Sequence, residues 1–248
     1  MYEIELVIPC FNEQNRLDTN AFKTFAQNNE NVLITFINDG STDSTLEILR
    51  RLSAEIKNIE FHSLAENSGK SEAVRCGMNR AISKPNSCKL IGFWDADLAT
   101  KLEELKDFIS YFDSKPSLVM VIGARVKLMG RDIERNLFRH YLGRVLASFA
   151  SIILKMPIYD TQCGSKVFKN NDDLRQALVI AFKSRWVFDV ELIKRMYMKD
   201  QEFPTKIIEH PLNAWADVGN SKLKYSDMIV ALFDLIRIAM ISPKKRLT

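Results

Sequence analysis

Along the first half of the chain, short and continuously apolar runs alternate with stretches whose apolar residues recur every three or four positions. The runs fall at 3 to 9, 32 to 37, 59 to 64, 89 to 94 and 117 to 123. Each is short and has no polar alternation, so each is expected to be a strand covered on both faces, as strands of a parallel sheet are. Between them, Thr45, Leu49, Leu52 and Ile56 share one helical face, as do Val74, Met78, Ala81 and Ile82, and then Leu102, Leu105, Ile109 and Phe112. This alternation predicts an α/β fold built on a mostly parallel, doubly wound sheet.

After residue 124 the pattern changes. A basic loop leads to an apolar-rich helix from 137 to 154, then to the polar turn "YDTQCGSKVF", which runs into a strand. Helices near 171 to 183 and 188 to 199, a strand near 205 to 210 and a final amphipathic helix complete the chain, with no internal repeat or low-complexity linker. The final helix carries Tyr225, Met228, Ile229, Leu232, Leu235, Ile236 and Ala239 at helical spacing, ahead of "PKKRLT". Such a helix either packs on the body or lies in a membrane surface, with Lys244, Lys245 and Arg246 on anionic lipid.

At 248 residues and 46% hydrophobic, the chain is long enough for one substantial core. A net charge of +4 excludes a general polyanion binder. The charge is unevenly placed, however: between Arg125 and Lys155 stand seven cations, with Lys127, Arg131, Arg135, Arg139 and Arg144 between them, against the two acids Asp132 and Glu134. That segment expects an anionic partner or surface. Cys10, Cys76, Cys88 and Cys163 form no CxxC pair and read as reduced thiols, which points to the cytoplasm. "MYEIELVIPC" has no basic start and too short an apolar run for a signal peptide, and no stretch reaches the roughly 18 apolar residues of a membrane span. A soluble or peripheral protein is expected.

In open α/β sheets, ligands bind beyond the carboxyl ends of the strands. Three acid-bearing loops occupy those ends: "PCFNE", "NDGSTD" and "WDADLAT". Neither a GxGxxG nor a GxxxxGK[ST] stands among them, which disfavours nicotinamide enzymes and P-loop NTPases. In an extended segment Asp95 and Asp97, at i and i+2, point the same way. Two such charges raise each other's pKa unless a cation lies between them, and Mg²⁺ or Mn²⁺ is the natural one, its shell completed by water and diphosphate oxygens. Asp97 can alternatively cap a helix starting near Thr100. Asp43 or Ser44 with Glu47 fits a capping arrangement. Asp39 lies before Gly40, outside any cap, and is better suited to accept hydrogen bonds from a ribose or a base N–H. Glu13, after Asn12, holds a similar position in the first loop or is a solvated loop acid. Lys70 in "AENSGKSEAV" either pairs with a phosphate or is a plain surface lysine.

The set "VIPCFNE", "INDGSTDST", "ENSGKSEAVRCG" and "WDADLAT" resembles the nucleotide-sugar half of family 2 glycosyltransferases with the GT-A fold. "GARVKLMGRDIERNLFRHYLGR", "YDTQCGSKVF" and "SRWVFDVELI" look like the branch of dolichyl-phosphate glucosyltransferases and their bacterial relatives, so that the resemblance runs to about residue 220. It implies one GT-A catalytic domain over 1–220, with a nucleotide-sugar half (1–123) and a helical acceptor-side half (124–220), followed by an amphipathic helix and basic tail (221–248). It implies that Asp39, with Pro9 and Glu13, contacts the nucleoside of a UDP-sugar, and that Asp95 and Asp97 hold the metal and diphosphate. Arg125, Arg139 and Arg144 match the positions that face phosphates, Asp160 and Gln162 line the acceptor side, and Asp189 lies nearby. Ala124 stands where the family has serine, and the membrane-spanning helices of many relatives have no counterpart here.

A hydroxyl acceptor must lose a proton as it attacks and requires a general base, for which Asp160 and Asp189 are the candidates. A lipid phosphate, with a second pKa near ~6, needs no base but needs cations, and guanidinium forks suit its oxygens. Asp189 can instead act as an N-terminal acid of its helix, and "DTQCG" as an Asx-turn. His140 is either a base or phosphate ligand or a histidine bonded within the fold; Trp186 and Trp215 stack a ligand or belong to the core. The resulting expectation is an inverting, metal-dependent transferase that moves a hexose, glucose by resemblance, from a UDP-sugar to a polyprenyl phosphate at the cytoplasmic membrane surface, with no nucleic-acid partner. Transfer to a saccharide hydroxyl is the alternative. Oligomeric state is not legible in the chain.

Overall fold

The computed structural model describes residues 2–134, 137–216 and 225–241, the side chains of 137–142 and 225–229 excepted. The elements follow in the order β1 (Ile4–Cys10), α1 (Thr19–Asn28), β2 (Val32–Asn38), α2 (Thr45–Glu55), β3 (Ile59–Ser63), α3 (Lys70–Ser83), β4 (Leu90–Trp94), α4 (Leu105–Ser114) and β5 (Met120–Ala124). The second half supplies β6 (Asp132–Glu134), α5 (Leu137–Leu154), β7 (Ser165–Lys169), α6 (Asp172–Val179), α7 (Phe188–Tyr197), β8 (Ile207–Pro211), β9 (Ala214–Ala216) and α8 (Tyr225–Ala239).

Seven strands form one sheet in the order β3-β2-β1-β4-β7-β5-β8, and β6 pairs with β9 in a small second one. The large sheet is parallel except for β7, which runs antiparallel to both neighbours. Side chains alternate across the pleat. On β1, Ile4, Leu6 and Ile8 pack under Phe22, Leu49 and Phe108 of α1, α2 and α4, whereas Val7 faces the layer of α3, α5, α6, α7 and α8. Covering both faces explains why the strands read as unbroken apolar runs.

The five strands read in the first half all form, and α5 spans the residues expected of it. Several elements differ. Helix α1 was not among the expected elements; Phe22, Phe25 and Ala26 bury on one face of it and the Asp18 carboxylate caps it by accepting from Ala21 N. The expected helix to 183 ends at Val179, because the Glu191 carboxylate accepts from Lys183 N and Ser184 N and turns the chain into α7. On α8, Ala231, Leu235 and Ile238 enter the core, while Leu232 and Ile236, expected on the same face, are exposed. Lys244, Lys245 and Arg246 lie outside the described residues.

One feature of β1 positions the site. Its pairing with β4 runs from Ile4↔Leu90 to Val7↔Phe93 and stops short of Pro9, which has no N–H for a central ladder. Beyond that point β1 remains paired with β2 alone, through Cys10↔Asn38, so a gap opens between the ends of β1 and β4.

Candidate active site

The three acid-bearing loops meet at that gap. The first two are tied together by the backbone: Asn12, at φ 52°, donates its N–H to Ser41 Oγ (3.0 Å) and accepts from Thr42 N (2.9 Å) through its side chain. Glu13 N donates to Thr45 Oγ1 at 2.8 Å, and Gln14 N to the Asp43 carboxylate at 3.2 Å. Asp43 accepts from Thr45 N at 2.9 Å just ahead of α2, whereas Ser44, the N-cap itself, makes no side-chain capping bond. Asn12 therefore fastens one loop to the next with the same side chain that was assigned to a ligand.

Asp39 does act as a cap, but across the fold. Its Oδ1 accepts from Ser68 N and its Oδ2 from Gly69 N, each at 2.8 Å, with Asn67 Nδ2 at 2.9 Å. Those N–H groups stand in front of α3, where a carboxylate is favoured by unpaired amides and the helix dipole. Gly40, at φ +61°, lets the chain turn so close to this loop that a β-carbon there would stand 2.4 Å from Glu66 C.

Asp95 and Asp97 do not sit in an extended segment. Strand β4 ends at Trp94, Leu98 N donates back to Asp95 O (3.3 Å), and Leu98 takes φ 52°. The pair lies in a turn, so the alternation argument fails, although the two carboxylates remain neighbours. Asp97 Oδ1 accepts from Ala99 N (3.1 Å) as a local Asx-type contact and caps no helix at Thr100. Burial first, and the charge of Asp95 second, raise Asp97 above the ordinary aspartate range; Ala99 N–H, Lys70 and Arg16 work against them. Asp95 N is held by Gly164 O at 3.0 Å, and a β-carbon on Gly164 would stand 2.0 Å from Asp95 Oδ2. Glycine in "DTQCG" thus makes the room that the Asp95 carboxylate occupies. Two adjacent hard carboxylates, one with raised proton affinity, fit a divalent cation such as Mg²⁺ or Mn²⁺. A second carboxylate group, Glu104, Asp107 and His210, has ligand atoms within 4.8 Å of one another. There His210 Nε2 lies 3.0 Å from Glu104 Oε2, Asn213 N donates to Glu104 Oε1 (2.8 Å) and Tyr111 OH meets His210 Nδ1 (3.2 Å), an internally bonded set that includes neither Asp95 nor Asp97.

On the acceptor side, the residues expected to face ligands hold one another. Asp160 takes Arg125 as a fork, Nε at 2.7 Å and Nη2 at 2.8 Å, and also Arg125 N at 3.1 Å, while the guanidinium lies 5.3 Å from the Trp215 ring centre. Arg144 donates to Tyr159 O (2.6 Å) and stacks 3.7 Å from that ring. Gln162 N closes the turn on Asp160 Oδ1 (3.3 Å), the Asx-turn expected of "DTQCG". Asp189, in the first turn of α7, meets Lys166 Nζ at 2.9 Å; that lysine is fully buried, also donates to Cys163 O, and lies 5.1 Å from the Phe93 ring centre. Burial raises Asp189, Lys166 and Lys70 oppose the rise, and Asp95 adds to it. The side chains of Arg139 and His140 lie outside the described residues. Trp186 and Trp215 are both half-buried.

Three residues of the site, Arg16, Arg185 and Lys166, were not singled out in the sequence, and Gly164 was read only as the cap of an Asx-turn. Arg16 Nη2 lies 3.3 Å from Asp97 Oδ2, Arg185 Nη2 donates to Asn67 Oδ1 (3.1 Å) beside Gly69, and Lys166 and Gly164 lie under Asp189 and Asp95. Arg16, three residues after Glu13, had the i,i+3 spacing as a signal. Lys166 had none, since a lysine inside a short strand normally reads as a solvent-facing position.

Comparison with known proteins gives concordant results. A glycosyl transferase family 2 model matches residues 5–194. Dolichyl-phosphate beta-glucosyltransferase ALG5C of Trichomonas vaginalis is 30% identical over 246 residues, covering 94% of this chain and 70% of the relative. Dolichyl-phosphate beta-glucosyltransferase of Dictyostelium discoideum is 31% identical over 253 residues, with 95% and 73% covered. Among solved structures, glucosyl-3-phosphoglycerate synthase from Mycobacterium tuberculosis in complex with UDP superposes with a TM-score of 0.69 at 16% identity, over 98% of this chain and 82% of that one. Its complex with Mn²⁺, UDP-glucose and phosphoglyceric acid gives a TM-score of 0.69 at 15% identity, over 98% and 81%. These structures share the fold, a GT-A arrangement of mostly parallel strands and flanking helices.

Proposed function

Because the chain belongs to glycosyl transferase family 2, we propose that it transfers glucose from UDP-glucose to a dolichyl or other polyprenyl phosphate, with inversion at the anomeric carbon. The relatives named as dolichyl-phosphate glucosyltransferases support the substrate pair. One structural observation carries the choice of acceptor. Both carboxylates offered as general bases are tied to cations, Asp160 to the half-buried Arg125 and Asp189 to the fully buried Lys166. A hydroxyl acceptor would be left without its base, whereas a phosphate already carries its nucleophilic charge at neutral pH. A phosphate oxygen attacks the anomeric carbon, the bond from that carbon to the diphosphate breaks, and UDP leaves with the electron pair, with no proton to move.

In this reading Asp39 with Pro9, Asn12 and Glu13 forms the wall for the nucleoside, residues 1–123 hold the donor and residues 124–220 the acceptor. A divalent cation at Asp95 and Asp97 supplies positive charge to the departing diphosphate. Lys70 and Arg185, beside the first turn of α3, are placed for the same oxygens. Arg125 and Arg144 act through the 159–163 turn, and Arg139 is assigned to the acceptor phosphate by its place in the sequence alone.

The lipid acceptor requires a membrane surface, and no helix among the described residues is long and apolar enough to cross one. Helices α5 and α8 pack together and leave Val145, Phe149 and Ile152 of the first, Phe233 and Ile236 of the second, and Met240 just after it exposed; Ile152 is 72% and Phe233 60% accessible. Apolar side chains at that density, with Lys183 and Arg237 lining a hollow beside Met240, suit the headgroup boundary of an anionic bilayer. The test is transfer of labelled glucose from UDP-glucose with Mn²⁺, to polyprenyl phosphate either in anionic vesicles or dispersed in detergent. Both acceptors should be glucosylated, and Ile152→Asp/Phe233→Asp should lose about tenfold or more on vesicles only. No transfer to either lipid phosphate, with transfer to a sugar hydroxyl instead, would overturn the reading.

A further prediction concerns Gly164. Gly164→Ala forces the Asp95 carboxylate away from its place while β7, which begins one residue later, keeps its pairing. Transfer should fall by about 10²-fold with an unchanged circular dichroism spectrum, misplacement of one group being enough for that loss. Wild-type rates would show that Asp95 acts from another position.

A further inference from the structure

The Asp95 and Asp97 carboxylates already have cations. Lys70 Nζ stands 2.5 Å from Asp95 Oδ1 and Arg16 Nη2 stands 3.3 Å from Asp97 Oδ2. The two cations come from different elements, Lys70 from the first turn of α3 and Arg16 from the loop after β1. Each has another anion at hand: Arg16 Nε lies 3.5 Å from Glu13 Oε2, and Lys70 senses Asp189, which is itself held by Lys166. Four acids (Glu13, Asp95, Asp97, Asp189) therefore face three cations (Arg16, Lys70, Lys166) across this floor, close to neutrality.

That balance decides what can enter. A divalent cation alone finds its two ligands paired, and has to turn out Lys70 and Arg16 into a site where fewer anions remain for them. A diphosphate alone adds negative charge beside Asp95 and Asp97. Together they add nearly no net charge, and the diphosphate oxygens give the two displaced side chains new partners.

We propose that Lys70 and Arg16 are resident counter-ions of the Asp95 and Asp97 pair which exchange places with the divalent cation, so that the metal enters with the donor diphosphate and not ahead of it. This rests on the donor site described above. By linkage, UDP raises the affinity for metal by the factor by which metal raises the affinity for UDP.

Mn²⁺ binding is read from the electron paramagnetic resonance signal of the free ion, with the purified full chain, with and without UDP. Wild type should bind Mn²⁺ about tenfold or more tightly with UDP than without, a factor in keeping with one charge-assisted contact. Lys70→Met should bind Mn²⁺ alone about tenfold more tightly than wild type, and its gain on adding UDP should shrink. Lys70→Arg, which keeps the charge, should resemble wild type, and Arg16→Gln should shift in the direction of Lys70→Met by a smaller factor, since its contact is longer. If wild type binds Mn²⁺ with UDP while Lys70→Met leaves binding of the metal alone unchanged or weaker, the exchange is wrong and the donor site stands. If wild type binds no Mn²⁺ with or without UDP, both fall.

Discussion

Asp97→Asn is expected to lower glucosyl transfer by about 10²- to 10³-fold, the loss that follows removal of one preorganised electrostatic group at a site of developing charge. The fold should not suffer. An asparagine keeps the Oδ1 acceptor for Ala99 N, so the turn after β4 persists, and the charge that is removed is one that burial and Asp95 both oppose. Unfolding free energy should stay within about 0.5 kcal/mol of wild type or rise, as at other sites where function holds a charge in an unfavourable place. Initial rates with Mn²⁺, set beside a denaturant titration, check both halves. A variant that transfers at the wild-type rate would take the metal away from Asp97.

Lys166→Met is expected to have the largest effect on stability, a loss of about 3–5 kcal/mol, because it leaves Asp189 charged and buried without its partner. The accompanying contacts of Lys166 with Cys163 O and Phe93 go as well. Adding Asp189→Leu should restore most of the loss, since a buried pair is commonly replaceable by apolar side chains of similar volume. The sign of the pH dependence is fixed too. Asp189 already lies above the ordinary aspartate range, and without Lys166 its folded-state pKa rises further, so the variant's deficit relative to wild type grows as pH rises from the wild-type folded value to the variant's. Equal stability of Lys166→Met and wild type at neutral pH would show that Asp189 is not held by this pair.

Much of this was legible in the chain because it depends on local pattern. Unbroken apolar runs gave β1, β2 and β4, and the ends of those three strands placed Asp39, Asp95 and Asp97 in neighbouring loops. What failed depended on partners remote in sequence. The alternation argument for Asp95 and Asp97 assumed extended backbone, and nothing local announced that Leu98 would turn at positive φ. Arg125 and Asp160 read as two ligands for two substrates, and are one clamp. The lysine in "SKVF" reads as a solvent-facing position in any strand; only its seat between β4 and β5, both faces covered, makes Lys166 a buried cation. Asp39 reads as an isolated loop acid, because the amides it caps belong to residues 68 and 69.

The reversed strand β7 has a consequence for biosynthesis. It stands between β4 and β5, so those two strands never touch, although β5 ends 41 residues before β7 begins. Until β7 leaves the ribosome, β4 offers an unpaired edge and β5 has neither neighbour. A nascent chain ending near residue 124 is therefore exposed to strand exchange with other chains. The residues before β6 cannot mature first and wait for the rest: the sheet closes for both in one late event, and a gene cut after β5 would yield two fragments with unpaired strand edges.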